Sequence, residues 1–339
     1  MIDPNLHFDS VTDTDRLDLD MALHLTSEEI RRNLTGAPYV IRNLTRHLAK
    51  AGGKNIRARA LLACSAGSDG KTDRRAVLTA SAIELLHLAT LVHDDIIDNA
   101  VLRRGIDTLH KKFGEKNAVL CGDFLFCLAF QLVGRIKPPE ERNPLPENLL
   151  PAYMTEICLG ALREIRNNHN YKLSERAYFG IISGKTAALF EATFYAGFLL
   201  SGEPEDNKGG YIDLGKCMGI VFQLSDDCFD YEATKKTMKK PVLSDFSQGV
   251  VTLPLIYAIK KDPSLLERIE SGISPQDIKQ AVRAAGGLAY THLKIDRYHK
   301  KALKIIHSLT VPEEKKVRLI NLLDMAAGNM LRTSGSALS

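Results

Sequence analysis

The sequence predicts an all-α chain folded as one large helical domain, and three observations carry that reading. Proline, which breaks helix interiors, is absent between Pro38 and Pro138, and the intervals Pro151 to Pro204 and Pro204 to Pro241 are each long enough for whole helices. Apolar residues step by three and four, as in 211–232, where Leu214, Cys217, Met218, Val221, Leu224 and Cys228 follow a helical period rather than strand alternation. No glycine-rich phosphate loop or Walker lysine follows a strand-like run, so a nucleotide-binding α/β reading has no support.

Composition fits this class. The 339 residues hold 45 Lys+Arg against 41 Asp+Glu, a net charge of +4, with 45% hydrophobic and 25% charged residues, which argues against a disordered or collagen-like chain. Aromatics are 6% and Trp is absent, so a base-stacking surface for nucleic acid is not expected.

Taken in order, the segment Met1 to Asp20 carries six aspartates and lacks the basic start and apolar run of a secretory leader; the expected compartment is the cytoplasm. Thr79 or Ser81 ahead of Glu84 would cap the next long helix, and Ser174 ahead of Glu175 another. The apolar run 119–136, broken by Asp123 and Arg135, reads as a buried helix rather than a membrane span. Five prolines at 138–151 mark an irregular loop. No composition break divides the chain, so residues 1–339 are expected to form one domain, with a motif-bearing core at about 50–260 and peripheral helices at about 262–332. The six cysteines, at 64, 121, 127, 158, 217 and 228, have neither Cys-x-x-Cys nor zinc spacing and read as reduced, mostly buried thiols.

Two Asp-Asp-x-x-Asp motifs carry the chemistry: Asp94, Asp95 and Asp98 in LVHDDIIDNAVLRRG, and Asp226, Asp227 and Asp230 in FQLSDDCFDYE. With 23 aspartates in 339 residues, chance supplies such a motif about 0.1 times in a chain of this composition, and here it occurs twice. On a helix, residues four apart project from one face a turn apart, so Asp94 pairs with Asp98 and Asp226 with Asp230. Carboxylates packed this way repel unless a hard divalent cation screens them, and Mg²⁺ suits oxygen ligands together with substrate phosphates and retained waters. A solvated acidic patch is the plain alternative, weakened because both motifs lie in otherwise apolar helices. Cations for an anionic ligand are at hand in Arg103, Arg104, Lys54, Arg57 and Lys185, the last followed by the hydroxyl of Thr186. Arginine offers a planar fork to phosphate oxygens and lysine a point charge, so the combined pattern points to a diphosphate held through Mg²⁺.

These stretches resemble the trans-type isoprenyl diphosphate synthases, especially the medium- and long-chain polyprenyl diphosphate synthases. The matching segments are GGKNIRAR (52–59), ELLHLATLVHDDIIDNAVLRRG (84–105), CGDFLF (121–126), SGKTAALFEAT (183–193), FQLSDDCFDY (222–231), and KKP followed by GVVTLPLIYA (239–258). The resemblance implies an isoprenoid-synthase bundle with a central active-site cavity. It also implies condensation of isopentenyl diphosphate with an allylic diphosphate, about three Mg²⁺ per site, and a homodimer. By position, Asp94, Asp98 and Asp226 resemble direct Mg²⁺ ligands, supported by Asp95, Asp227 and Asp230. Lys54, Arg57, His87 and Arg104 resemble the isopentenyl-diphosphate site; Arg103, Lys185 and Lys240 resemble contacts of the allylic diphosphate; Thr186 and Gln223 resemble residues facing the allylic cation. Ala89 and Thr90, five and four positions before the first aspartate, are small, which in this family implies an open chain-length pocket and a product longer than fifteen carbons. Phe124, Phe126 and Phe130 could set a deeper floor or simply fill core.

The chain departs from the family pattern at Ala58, Asp107, Gly328 and above all Val250, where a lysine is usual. Two alternatives follow: a partner subunit of a heteromeric synthase, or a terpene cyclase on the same fold. The basic set at 54, 57, 87 and 104 disfavours the cyclase, and the absence of an Asp-x-Asp-x-Asp-Gly loop disfavours a calcium-binding protein. Contact with a membrane is expected to be peripheral at most, for product release.

Overall fold

A computed structural model of the chain describes residues 15–53, 55–136, 149–232 and 243–328. Lys54, Lys240 and the proline-rich stretch from 138 to 148 therefore lie outside the described residues. The described residues are predominantly helical and fall into two compact units. Of the described residues, the first takes those up to 136 together with Thr193–Tyr211 and Thr310–Leu319, and the second takes 149–192, those between 212 and 309, and 320–328.

In the first unit, α1 (Leu19–Thr35), α2 (Arg42–Leu48), α3 (Ile56–Ser65), α4 (Arg74–Ile97), α5 (Leu109–Phe113) and α6 (Glu115–Gly134) follow one another, with a hairpin of two short strands, β1 (Leu102–Arg103) and β2 (Ile106–Asp107), between α4 and α5. The core helix is α4, packed against α1, α3 and α6, with Ala76, Ala80, Ile83 and Leu86 fully buried. Its start is Asp73, not Thr79 or Ser81: the Asp73 carboxylate accepts from the N–H groups of Arg75 and Ala76 at 2.9 and 3.2 Å. Thr79 and Ser81 sit inside the helix and donate to the carbonyls of Arg75 and Val77, both at 2.8 Å. Hydroxyls that can cap a helix can equally bond back four residues within one, which is why the expected start fell too late.

The apolar run after residue 119 does form a helix, α6, but not a wholly buried one. Ala118, Cys121, Leu125 and Ala129 are fully buried, whereas Val119, Leu120 and Phe130 are exposed. Gly122 lets α6 come close to α4; a Cβ there would lie 2.3 Å from the His93 ring. All six cysteines are free thiols, four of them buried and Cys127 and Cys158 exposed.

The second unit contains α7 (Leu149–Arg166), α8 (Glu175–Ile182), a π turn at Ser183–Ala187, the start of α9 (Ala188–Ser201) and most of α10 (Lys208–Glu232). It continues through α11 (Ser244–Ser247), α12 (Leu253–Lys261), α13 (Ser264–Glu270), α14 (Pro275–Ala284), α15 (Gly287–Ser308) and the second half of α16 (Glu313–Ala327). Ser174 caps α8 as expected, its hydroxyl accepting from Ala177 N–H at 3.2 Å. Glycines set the closest approaches. At Gly160 a Cβ would stand 2.2 Å from the Lys185 backbone nitrogen, and at Gly219 one would stand 2.5 Å from Ala187 Cα, so α7 and α10 both press against the π turn. After residue 262, Leu265, Ile278, Val282, Ala302 and Ile306 are fully buried, so these helices carry core of their own.

Candidate active site

The first aspartate motif closes α4. Asp98 is the C-cap and donates its N–H to the Asp94 carbonyl at 2.8 Å, so the acid pair stands at the negative end of the helix dipole, where a cation is favoured. The three carboxylates differ in setting. Asp95 is buried and held by Arg103, whose Nε donates to its two oxygens at 2.8 and 2.9 Å. Asp94 and Asp98 are only half-buried and stand one turn apart on the helix.

A basic group adjoins this end of the first unit. Arg57, at the start of α3, is buried, and burial lowers its guanidinium to about 10 against the opposing charge of Glu84; it stays charged at neutral pH. Glu84 accepts from the Ala58 N–H at 2.9 Å and so ties α4 to the first turn of α3. His87 is driven well below the ordinary imidazole range by burial and by the positive charges of Arg57, Arg103 and Arg104, leaving it neutral and able to donate one N–H to a phosphate oxygen. Arg104 adopts φ +52° and donates to the Gly52 carbonyl at 2.5 Å. A Cβ at Gly53 would stand 2.9 Å from that guanidinium. Ala89 is fully buried, and Thr90 turns its hydroxyl back to the His87 carbonyl at 2.8 Å. Lys54, the expected neighbour of these groups, lies outside the described residues.

In the second unit the second motif lies on α10. Asp226 is exposed, whereas Asp227 and Asp230 are buried. Asp227 accepts from the Tyr178 hydroxyl and from Gln223 Nε2 at 2.8 Å. Burial raises its carboxyl to about 7, with the charges of Asp226 and Glu164 adding and the two donors opposing. Asp230 accepts the Asp245 N–H at 3.2 Å. The Thr186 hydroxyl donates to Gln223 Oε1 at 2.7 Å, so Thr186, Gln223, Asp227 and Tyr178 form one hydrogen-bonded chain across α8, the π turn and α10. Lys185 pairs with Glu164 of α7. Val250 is half-buried and places no cation here; Lys240 lies outside the described residues.

Four participants escaped the sequence reading: Glu84, Glu164, Tyr178 and Asp245. Glu164 lies 21 residues before Lys185 and Tyr178 lies 49 before Asp227, separations with no local periodic signal. Among the described residues no three His, Cys, Asp or Glu side chains converge into a ready cage for a metal. The one-turn pairs differ in burial: Asp94 and Asp98 are both half-buried, whereas in the second motif Asp226 is exposed and Asp230 buried. Each unit thus carries one aspartate motif on a helix together with cationic side chains, Arg57, Arg103 and Arg104 in the first and Lys185 in the second.

Comparison with known proteins gives the family. The family model described as polyprenyl synthetase matches residues 38–285, and the chain belongs to that family. Among curated relatives it is 32% identical over 304 residues to heptaprenyl diphosphate synthase component 2 of Geobacillus stearothermophilus, covering 86% of this chain and 91% of the relative. It is 31% identical over 293 residues to octaprenyl diphosphate synthase of Escherichia coli strain K12, covering 83% and 87%. The crystal structure of heptaprenyl diphosphate synthase from Staphylococcus aureus superposes with a TM-score of 0.83 at 26% identity, covering 92% of this chain and 99% of the other.

Proposed function

We propose that this prenyltransferase condenses isopentenyl diphosphate with an allylic diphosphate, in the presence of Mg²⁺, to give a trans-polyprenyl diphosphate longer than fifteen carbons, and that both aspartate motifs serve one reaction. The observation that carries the reading is the difference in burial within the motifs. Asp94 and Asp98 are half-buried and Asp226 is exposed, while Asp95, Asp227 and Asp230 are buried and held by Arg103, by Tyr178 with Gln223, and by the Asp245 N–H. That donor set fits Mg²⁺, with the first three as ligands and the buried three as their supports. About three ions would neutralise the charge that grows on the leaving diphosphate.

The chain's own residues supply the rest. Arg103, Lys185 and Lys240 hold the allylic diphosphate, and Lys54, Arg57, Arg104 and neutral His87 hold isopentenyl diphosphate. Binding both substrates turns attack of the alkene on the allylic carbon into a step within one complex. As the C–O bond breaks, the Thr186 oxygen, oriented by donating its hydrogen to Gln223, and the Gln223 amide face the allylic cation. Loss of one proton to the released diphosphate completes the new double bond. Ala89 and Thr90 leave room for the growing chain, and names of relatives such as octaprenyl diphosphate synthase support a long product. The exposed apolar residues Val119, Leu120 and Phe130 on α6 support a homodimer through that helix.

The test is incubation of purified protein with Mg²⁺, isopentenyl diphosphate and farnesyl or geranylgeranyl diphosphate, with products resolved by length. Asp94→Ala and Asp226→Ala should each cut turnover by about 100-fold or more with helical content unchanged; full turnover in either variant would remove that residue from the metal site. A second reading, action with a non-identical subunit, is favoured by the relative named component 2 and by Val250. It predicts that the chain alone is inactive yet binds Mg²⁺ and diphosphate.

A further inference from the structure

The strongest unassigned feature is the pairing of Glu164 with Lys185, and three observations set it apart from an ordinary surface ion pair. Lys185 belongs to the π turn at Ser183–Ala187, a rare element frequent at functional sites. The contact is built into the backbone: Gly160 and Gly184 meet so closely that a Cβ on Gly184 would lie 3.0 Å from Gly160 Cα and 3.1 Å from the Glu156 carbonyl. Glu164, one turn beyond Gly160 on the same face of α7, is thereby delivered to Lys185. Both side chains are also shielded, with 24% and 21% of their surface exposed, which leaves the charges more strongly coupled than they would be in open water.

The pairing is costly in its setting. Glu164 adds negative charge to a region that already holds Asp226, Asp227, Asp230 and Asp245, and it contributes to the field that hinders ionisation of Asp227 and Asp245. A carboxylate placed there weakens the attraction of the region for any diphosphate. It also occupies the cation which, under the function proposed above, the allylic diphosphate must take.

We propose that Glu164 is a positioning residue that competes with diphosphate for Lys185, holding the ammonium in place before substrate arrives and reclaiming it when inorganic diphosphate departs. The group exchanged is a salt-bridge partner; no bond is made or broken. The inference rests on the assignment of Lys185 to the diphosphate, and it predicts a change opposite to that of structural damage: removing Glu164 tightens diphosphate binding.

The experiment is calorimetric titration of the full chain with inorganic diphosphate in Mg²⁺, for the parent, Glu164→Gln, Glu164→Asp, Lys185→Ala and the double variant Glu164→Gln/Lys185→Ala. Glu164→Gln is isosteric and retains an acceptor oxygen without the charge. It should lower Kd by about fivefold, the size expected of a part-shielded ion pair. Glu164→Asp, too short to reach, should move Kd the same way if the Gln variant folds poorly. Lys185→Ala should raise Kd, and in that background Glu164→Gln should no longer tighten binding. An unchanged or weaker Kd in both Glu164 variants would overturn the proposal, as would tightening that persists without Lys185. A parent that binds no diphosphate would overturn the reading of Lys185 itself, and a parent that binds while its Glu164 variants do not tighten would overturn the competition alone. Inhibition by added diphosphate should rise in step in the Glu164→Gln variant.

Discussion

Asp227 makes the second unit sensitive to pH. Its carboxyl titrates near the ordinary 3.8 in the unfolded chain and at about 7 when folded, so the folded state binds the proton more tightly. The stability this group contributes is therefore fully present below about 3.8 and lost as pH rises to about 7. In metal-free protein, Asp227→Asn, which still accepts from Tyr178, should flatten the fall in Tm between pH 5 and pH 8; a fall as steep as the parent's would place the titrating group elsewhere. At this scale the sequence was informative about some residues and silent about others. Asp94 with Asp98 and Asp226 with Asp230 are legible because four-residue spacing is a local property of any helix. The division between accessible and buried members is not legible, because it depends on Arg103, Tyr178 and Asp245, whose approach is set by tertiary packing. Glu164 has no sequence signature for the same reason.

Among elements, the helices themselves were readable from proline placement and three-four periodicity, since both report directly on the backbone ladder. Their ends were less so: α4 begins five residues before Thr79, at Arg74, because Asp73 offers a better cap. The π turn was invisible, because what sustains it is contact. Gly160 lies against Lys185 and Gly219 against Ala187, each closer than a Cβ permits. Gly160→Ala should therefore destabilise the protein by about 1–3 kcal/mol, since the obstructing atom is backbone and cannot rotate away. Gly180→Ala, on α8 where nothing lies within 4 Å of an added Cβ, should instead stabilise by about 0.5–1 kcal/mol. Chemical denaturation of the two variants side by side checks both signs; a neutral Gly160→Ala would mean that the turn can yield.

For the molecule as a whole, the all-α class was legible from composition and periodicity, whereas the interleaving of segments in the two units was not, because no local signal marks which distant stretches pack together. Lys315 illustrates this. Its side chain, buried in the first unit, donates to the carbonyls of Cys64 and Ala66 at 2.5 and 2.8 Å and to Glu203 Oε1 at 2.5 Å. Glu203 also accepts from Tyr211 at 3.0 Å and from Asn207 at 3.0 Å. Lys315→Met should cost about 3–5 kcal/mol, because it strands the Glu203 charge in a shielded site. Replacing both residues, Lys315→Met with Glu203→Gln, should recover part of that loss in the same urea titration, and equal losses in the single and double variants would deny the coupling.

The position of Lys315 in the chain also bears on how the protein is made. Residues 310–319 close the first unit, yet they are translated only after the span from Ile212 to Leu309. At 5–20 residues per second, the nascent N-terminal helices wait on the order of ten seconds, with the carbonyls of Cys64 and Ala66 and the acid of Glu203 lacking the ammonium that will join them. Ribosome-bound intermediates shorter than this point should be the most dependent on chaperones.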